Sequence, residues 1–230
     1  MRIMTFNTQH CKNFVTGEID FARMAEVIRD ARADVVGLNE MRGKGVHPEY
    51  DRQVPILSRL SLLPYHYFAK AVDLHGGVDP YGNGLLSRHP IISAQTIPIP
   101  YPPELAEKEP RCVLKARLSC GLTVLVTHFG LTPPEHALAV ETILANLPAK
   151  NCVLMGDFNV TPNDPVLAPI RERMQDAADL FAEPLLSYPS DAPTVKIDYI
   201  FATPDIEILR ADIPSIVASD HRPHTAKIKY

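Results

Sequence analysis

Tryptophan is absent from this chain, and aromatic residues make up only 7% of it. Platforms that stack successive bases would have to come from few Phe and Tyr, and no cluster of these is interleaved with basic residues. Positive charge is not in surplus either. The net charge is -4, which argues against a general nucleic-acid binder, whose affinity rests on Lys and Arg against phosphates. Cysteine is scarce: Cys11, Cys112, Cys120 and Cys152 form no CxxC pair, so reduced thiols are expected rather than disulfides or a zinc site. No apolar run approaches a membrane span, and no basic segment leads into a long apolar stretch at the start. A cytoplasmic protein without a transmembrane segment is therefore expected. Linkers, charge runs, short-period repeats and low-complexity tracts are also missing. The 230 residues, 46% of them hydrophobic, then read as one domain over 1–230, long enough to bury most of the surface of the unfolded chain.

What the chain does have is a set of polar residues at or beside apolar strand-like runs. The most informative is Gly156-Asp157-Phe158-Asn159, delivered by Cys152-Val153-Leu154-Met155. In an extended segment positions two apart point the same way, so Asp157 and Asn159 are expected to converge on one target. The C-terminal end of a buried strand is where open α/β folds place ligands. Similar placements occur in Ile3-Met4-Thr5-Phe6-Asn7, in Val35-Val36-Gly37-Leu38-Asn39-Glu40 and in Leu122 to His128. Ile197-Asp198-Tyr199-Ile200-Phe201 and Ser219-Asp220-His221-Arg222-Pro223 add two more. Each alone has an ordinary explanation, as a turn, a cap or a core histidine. Their recurrence in one chain does not.

Asp198 is flanked by apolar residues on both strand faces, so its carboxylate is expected to be buried. Burying an unpaired charge costs several kcal/mol, and a partner is required. His221 is the suitable one: an Asp accepting from one imidazole nitrogen fixes the tautomer and frees the other nitrogen for substrate.

Taken in order, these segments resemble the endonuclease/exonuclease/phosphatase superfamily from Asn7 to His221. Asn7 is similar to the family's strand-one asparagine and Glu40 to its metal-binding glutamate. Gly82-Asn83-Gly84-Leu85-Leu86-Ser87-Arg88-His89-Pro90-Ile91 resembles the family's Gly-Asn to Ser-Arg-x-Pro-Ile segment. Thr127-His128, Gly156-Asp157-Phe158-Asn159, Ile197-Asp198-Tyr199-Ile200 and Ser219-Asp220-His221-Arg222-Pro223 complete the likeness. Asn39 departs from it, since many members carry glutamine there. The resemblance implies a four-layer αββα sandwich, with two packed mixed β-sheets flanked by helices.

The residue pattern by itself reaches only the class, α/β (α+β). Asp20 can cap a helix with Phe21, Met24, Ile28 and Ala31 on one face, followed by a strand over 34–38. Thr132-Pro133-Pro134-Glu135 is a capping box opening a helix with Ala137, Val140, Leu144 and Leu147 on one face. Strands are expected over 65–72, 84–88, 91–98, 111–118, 122–128, 196–202, 206–212 and 224–229. Loops over Arg42–Arg52, Leu74–Tyr81 and Pro98–Pro110 are left to define the substrate. They are short, without the long insertions by which nucleases of this superfamily grip a duplex.

Phosphoester hydrolysis needs neutralised nonbridging oxygens, a water aimed in line and a stabilised leaving oxygen. Glu40, Asn7 and Asp220 are the candidate ligands for Mg²⁺ or Mn²⁺, which favour oxygen donors. His128, Asp157, Asn159, Asp198 and His221 are the catalytic candidates, with the base undecided between Asp157 and His221. Tyr81, Asn83 and Arg111 are the candidates for phosphate contact. The expected activity is a metal-dependent phosphodiesterase or phosphatase on a small or lipid-headgroup phosphoester, with no partner protein implied. A nuclease, with nucleic acid as the less favoured partner, is the alternative. A zinc hydrolase lacks HExxH or paired His spacing. A silent binding module on the same fold would be expected to have lost one of these residues, and none is lost.

Overall fold

In a computed structural model, residues 1–102 and 109–230 are described. Residues 103–108, within the expected Pro98–Pro110 substrate loop, lie outside the described residues. In chain order the elements are β1 (Arg2–Asn7), α1 (Phe21–Asp30), β2 (Val35–Arg42), α2 (Gln53–Ser61), β3 (Tyr65–Leu74), β4 (Asp79–Ser87), β5 (Ile91–Pro98) and β6 (Cys112–Leu118). They continue with β7 (Thr123–His128), α3 (Pro133–Asn146), β8 (Cys152–Asp157), α4 (Ala168–Arg171), β9 (Gln175–Asp176), β10 (Asp198–Ala202), β11 (Glu207–Asp212) and β12 (His224–Lys229).

Helix α1 starts where the sequence signals it: the Asp20 carboxylate accepts from the Arg23 amide at 2.9 Å. At α3 the Glu135 carboxylate accepts from the Thr132 amide at 3.0 Å, behind two prolines that need no donor partner. Helix α2 was not anticipated. No side chain caps it, and its buried face includes Gln53, Ser58 and Ser61 beside Val54 and Leu57, so the apolar period is broken.

The strands form two six-stranded sheets, ordered β11-β12-β1-β2-β4-β3 and β5-β6-β7-β8-β10-β9. Each has a central parallel pair, β1 with β2 and β7 with β8, and is otherwise antiparallel. Parallel neighbours need a crossover, and α1 and α3 supply the two. Three apolar layers result. Ile3, Val35, Leu85, Val126, Met155 and Ile200 pack between the sheets. Met4, Phe6, Val36 and Leu38 pack outward against Met24, Val27 and Ile28 of α1 and Leu57 of α2. Val113, Leu125, Leu154 and Phe201 do the same against Ala139 and Ile143 of α3 and Ile170 of α4. Strands buried on both faces read as continuous apolar runs, which is why β2, β7 and β8 stood out in the sequence. The architecture is the four-layer αββα sandwich.

All four cysteines are free. Among the described residues no helix is long and apolar enough to cross a membrane.

Candidate active site

The parallel pairs of both sheets point their C-terminal ends to the same end of the sandwich, and the polar residues gather there. Strand β2 does not stop before Glu40, as the sequence suggested, but runs on to Arg42 through a bulge. Leu38 pairs with Gly84 and Met41 with Gly82, so Asn39 and Glu40 together face the single residue Asn83. The extra residue is taken up by Glu40 in the left-handed region, φ 60°. A non-glycine residue there costs of order 1 kcal/mol, and the bulge re-aims its side chain toward the sheet end.

Strand β8 reaches the site by a different device. Gly156 has φ 146°, and a Cβ there would lie 1.9 Å from the Thr127 carbonyl oxygen of β7. Only glycine lets the strands approach this closely. The strand then ends in an Asx turn: the Asn159 amide donates to Asp157 Oδ1 at 2.9 Å, and Asn159 has φ 51°. Asp157 and Asn159 therefore meet through a turn, not along an extended segment as the spacing suggested. Asn159 Nδ2 donates to the Phe129 carbonyl at 3.1 Å, and the residue lines the cavity.

Asn7 joins the two sheets. Its Nδ2 donates to Glu40 Oε1 at 3.1 Å and to Asp157 Oδ2 at 3.0 Å, while its Oδ1 accepts from the Gln9 amide at 3.1 Å. With the oxygen accepting from Gln9, Asn7 presents its nitrogen to the two acids and so spaces them. Asn39 is a second cross-link. Its Nδ2 donates to Asn83 Oδ1 and the Thr127 carbonyl, at 2.8 and 2.7 Å, and its Oδ1 accepts from the Asp157 amide at 3.0 Å.

Asn83, expected at the substrate, is placed elsewhere. It is buried, accepts from Asn39 and donates to the Cys112 carbonyl at 3.0 Å, so its amide is spent on holding β4 to β2 and β6.

A cavity of about 460 Å³ opens over this floor. Glu40, His128, Asp157, Asn159, Asp220 and His221 line it together with Tyr81 and Arg111. Asp198 lies beneath, fully buried, with Oδ2 at 2.9 Å from His221 Nδ1. The other nitrogen of His221, Nε2, is 3.6 Å from Asp157 Oδ2. His128 Nε2 stands 3.5 Å from the same oxygen. Arg111 Nη1 lies 2.8 Å from His128 Nδ1. Because a guanidinium can only donate, Nδ1 accepts and the His128 proton sits on Nε2, facing the cavity.

Burial opposes charge on Glu40, yet the bond from His10, the nearby His128 and the bond from Asn7 bring its pKa down to about 2. Burial raises Asp157 to about 7, with the His221 charge opposing and the Asp198 charge adding. Burial would lower His221, but Asp198, by charge and hydrogen bond, and Asp157 together raise it to about 10. Burial and then Arg111 hold His128 well below its ordinary value, hence neutral. Asp220 is raised, chiefly by burial.

Three side chains of the site had not been singled out. His10 places Nδ1 3.3 Å from Glu40 Oε2, from a segment in which Gln9, His10 and Cys11 all have positive φ. No periodicity marks such a turn. Tyr188 packs its ring on His221, centroids 4.7 Å apart, and lines the cavity. Ser187 Oγ accepts from the Ile197 and Asp198 amides at 3.2 and 3.3 Å, buttressing the strand that carries Asp198. These contacts join residues ten or more positions apart in the chain, beyond the reach of local pattern.

The Endonuclease/Exonuclease/phosphatase family model matches residues 4–221 of the chain, a span that contains every residue just placed. The chain belongs to this family. It is accordingly a phosphoester hydrolase of a family whose enzymes depend on divalent metals. Among solved structures it is similar to an endonuclease/exonuclease/phosphatase from Beutenbergia cavernae, with 27% identity, TM-score 0.79, and coverage of 100% of this chain and 71% of that one. The Bacteroides thetaiotaomicron mannosyl-6-phosphatase shares the fold at TM-score 0.78 and 13% identity, each chain covered over 100% of its length. The human Nocturnin catalytic domain with bound sulfate does so at TM-score 0.69 and 18% identity, over 100% of this chain and 94% of that one. No curated protein matches the chain in sequence.

The donor set fits the family's metal. Glu40 and Asp220 face one cavity with Asp157, and Asp198 Oδ1 is buried without a hydrogen-bond partner, so carboxylate oxygens are left to receive a cation. Asp157, Asp198 and His221 also present ligand atoms within 4.8 Å of one another. His221 Nδ1 is already engaged by Asp198, which favours the Glu40 side for the ion.

Proposed function

We propose that this family member is a Mg²⁺- or Mn²⁺-dependent phosphodiesterase or phosphatase acting on a small or lipid-headgroup phosphoester. The observation that carries the reading is Asn7 Nδ2 bridging Glu40 and Asp157, which gathers the acids of both sheets into one cavity with His128 and His221. A cavity near 460 Å³ is the size of a small-ligand site.

Glu40, with Asp220 beside the same cavity, would hold the ion; when bound, it neutralises charge on the nonbridging oxygens. Asp157, in reach of both imidazoles, orients the attacking water, and Asn159 fixes the turn that aims it. His128, neutral with its proton on Nε2, donates to a phosphoryl oxygen. His221, ion-paired with Asp198 and charged at neutral pH, clamps the phosphoryl group through Nε2. That charge favours Asp157 over His221 as the base. Arg111 and Tyr81 stand at the cavity wall as further phosphate contacts.

A substrate panel in Mg²⁺ tests the reading: a bis-aryl phosphodiester, inositol phosphates, a sugar 6-phosphate, sphingomyelin and plasmid DNA. Turnover of one of the small or headgroup esters above that of plasmid is expected. Cleavage of plasmid alone would replace this reading with the nuclease one, and hydrolysis that survives a chelator would remove the metal from it.

A further inference from the structure

Two of the sequence stretches set aside as substrate loops carry histidines that the site above does not use. His47 lies in the 43–50 loop and His75 in the turn between β3 and β4. Both direct Nδ1 at one carboxylate oxygen, Asp79 Oδ2; the His75 contact is 2.9 Å, and His47 makes the other. Asp79 is fully buried although it begins a strand at the molecular rim. Its second oxygen, Oδ1, accepts from the Val46 and His47 amides at 2.8 and 3.2 Å, so the carboxylate cannot swing away. The two imidazoles face each other with centroids 4.8 Å apart, and each side chain is about half exposed, 50% and 53%. The loop closes over Asp79 only because residue 45 is glycine: a Cβ there would sit 2.1 Å from Asp79 Oδ1.

An oriented carboxylate oxygen and two convergent imidazole nitrogens, all within 4.8 Å of one another, form a three-ligand set with its open side to solvent. Its chemistry differs from that of the central cavity. Oxygen-rich donors suit Mg²⁺ and Mn²⁺, whereas two imidazoles with one carboxylate suit Zn²⁺, Co²⁺ and Ni²⁺. We propose that His47, His75 and Asp79 form a second, separate binding site for a divalent transition metal of the Zn²⁺ class, clipping the 43–50 loop to the β3–β4 turn. The clip touches the mouth of the cavity. Tyr50, which lines it, packs edge-on against His75 at 5.6 Å and carries the Arg42 guanidinium 4.4 Å above its ring.

The test is titration of the full chain with Co²⁺ alone, followed by its visible ligand-field bands and by metal analysis. The His47→Ala/His75→Ala double variant and the milder His75→Gln variant are run beside it. Wild type should bind one equivalent more than the double variant, and His75→Gln should weaken that equivalent by about tenfold or more. Co²⁺ should also slow tryptic cleavage at the exposed Lys44 in wild type and not in the double variant. Equal stoichiometry and affinity in wild type and His75→Gln, with unchanged cleavage, would show the trio to be hydrogen-bonded only and overturn the proposal. The readout counts metal rather than turnover, so its failure leaves the catalytic reading standing, and failure of that reading leaves this site standing.

Discussion

Glu40 and Asp157 each lie on a strand of their sheet's central parallel pair, and one asparagine touches both, yet their environments push them in opposite directions. Glu40 keeps about a fifth of its side chain in solvent and meets Asn7 and His10, so it is held as a carboxylate, with a pKa near 2. Asp157 is buried beside the second acid Asp198 and resists losing its proton, with a pKa near 7. Two carboxylates with separated pKa values are how one site assigns an acid a permanent charge and its neighbour a proton to move. Glu40 on the first sheet, on this account, supplies the charge that holds a cation, and Asp157 on the second handles water and protons, with His221 brought beside it by the loop between β11 and β12.

The largest effect should come from Asp157 of the second sheet and from His221, which the β11–β12 loop carries to it. Asp157→Ala or His221→Ala is expected to lower turnover by about a thousandfold or more, with the circular dichroism spectrum of wild type. A loss under about tenfold would mean these side chains are not the reacting groups. Next comes the joint between the sheets. Asn39→Ala removes the buried bonds to the Asp157 amide, the Thr127 carbonyl and Asn83 Oδ1, and should cost about 3 kcal/mol in denaturant unfolding. A change under about 1 kcal/mol would show that water replaces the amide.

Asp198→Asn keeps the shape of the His221 pair but removes its charge. Turnover should fall about a hundredfold while the Mg²⁺ concentration for half-maximal rate stays put. Glu40→Gln should do the reverse, raising that concentration about tenfold or more and sparing most of the rate at saturating metal. If the two variants behave alike, the division between the sheets is wrong.

The smallest effects are on stability in chelator. Asp157 has a folded pKa of about 7 against an ordinary 3.8, so its contribution is full below the lower value and is lost as pH rises to the upper. Glu40 has a folded pKa of about 2 against 4.5, so its contribution is present above 4.5 and is lost as pH falls toward 2. Asp157→Asn should therefore flatten the decline between roughly pH 4 and 7, and Glu40→Gln the decline below roughly pH 4.5. Denaturant melts across pH that run parallel to wild type for both variants would contradict the assigned environments.

The sheets were legible because buried parallel strands leave continuous apolar runs, and α1 and α3 because Asp20 and Thr132 carry local capping chemistry. Helix α2 was not, since polar Gln53, Ser58 and Ser61 sit on its buried face: Gln53 Nε2 donates to the His10 carbonyl at 2.8 Å, while Ser58 and Ser61 donate to the nearby Leu63 and Leu57 carbonyls. In the site, the Asp198–His221 distance follows a simple rule, that a charge among apolar neighbours requires a partner. The placements of Asn7 and Asn83 do not. Carboxamides present either end, and which end faces the cavity is set by Gln9 and Cys112, neighbours that only the fold brings close. His10, Tyr188 and the bulge at Glu40 belong to backbone geometry with no periodic signature.

The division of labour between the sheets is tested most directly by where the ion sits. In a crystal grown with Mn²⁺, the anomalous difference map should place the metal against the Glu40 carboxylate, with Asp198 still hydrogen-bonded to His221 within about 3.2 Å. An ion coordinated by the Asp198 carboxylate, with Glu40 left outside its ligand sphere, would contradict it.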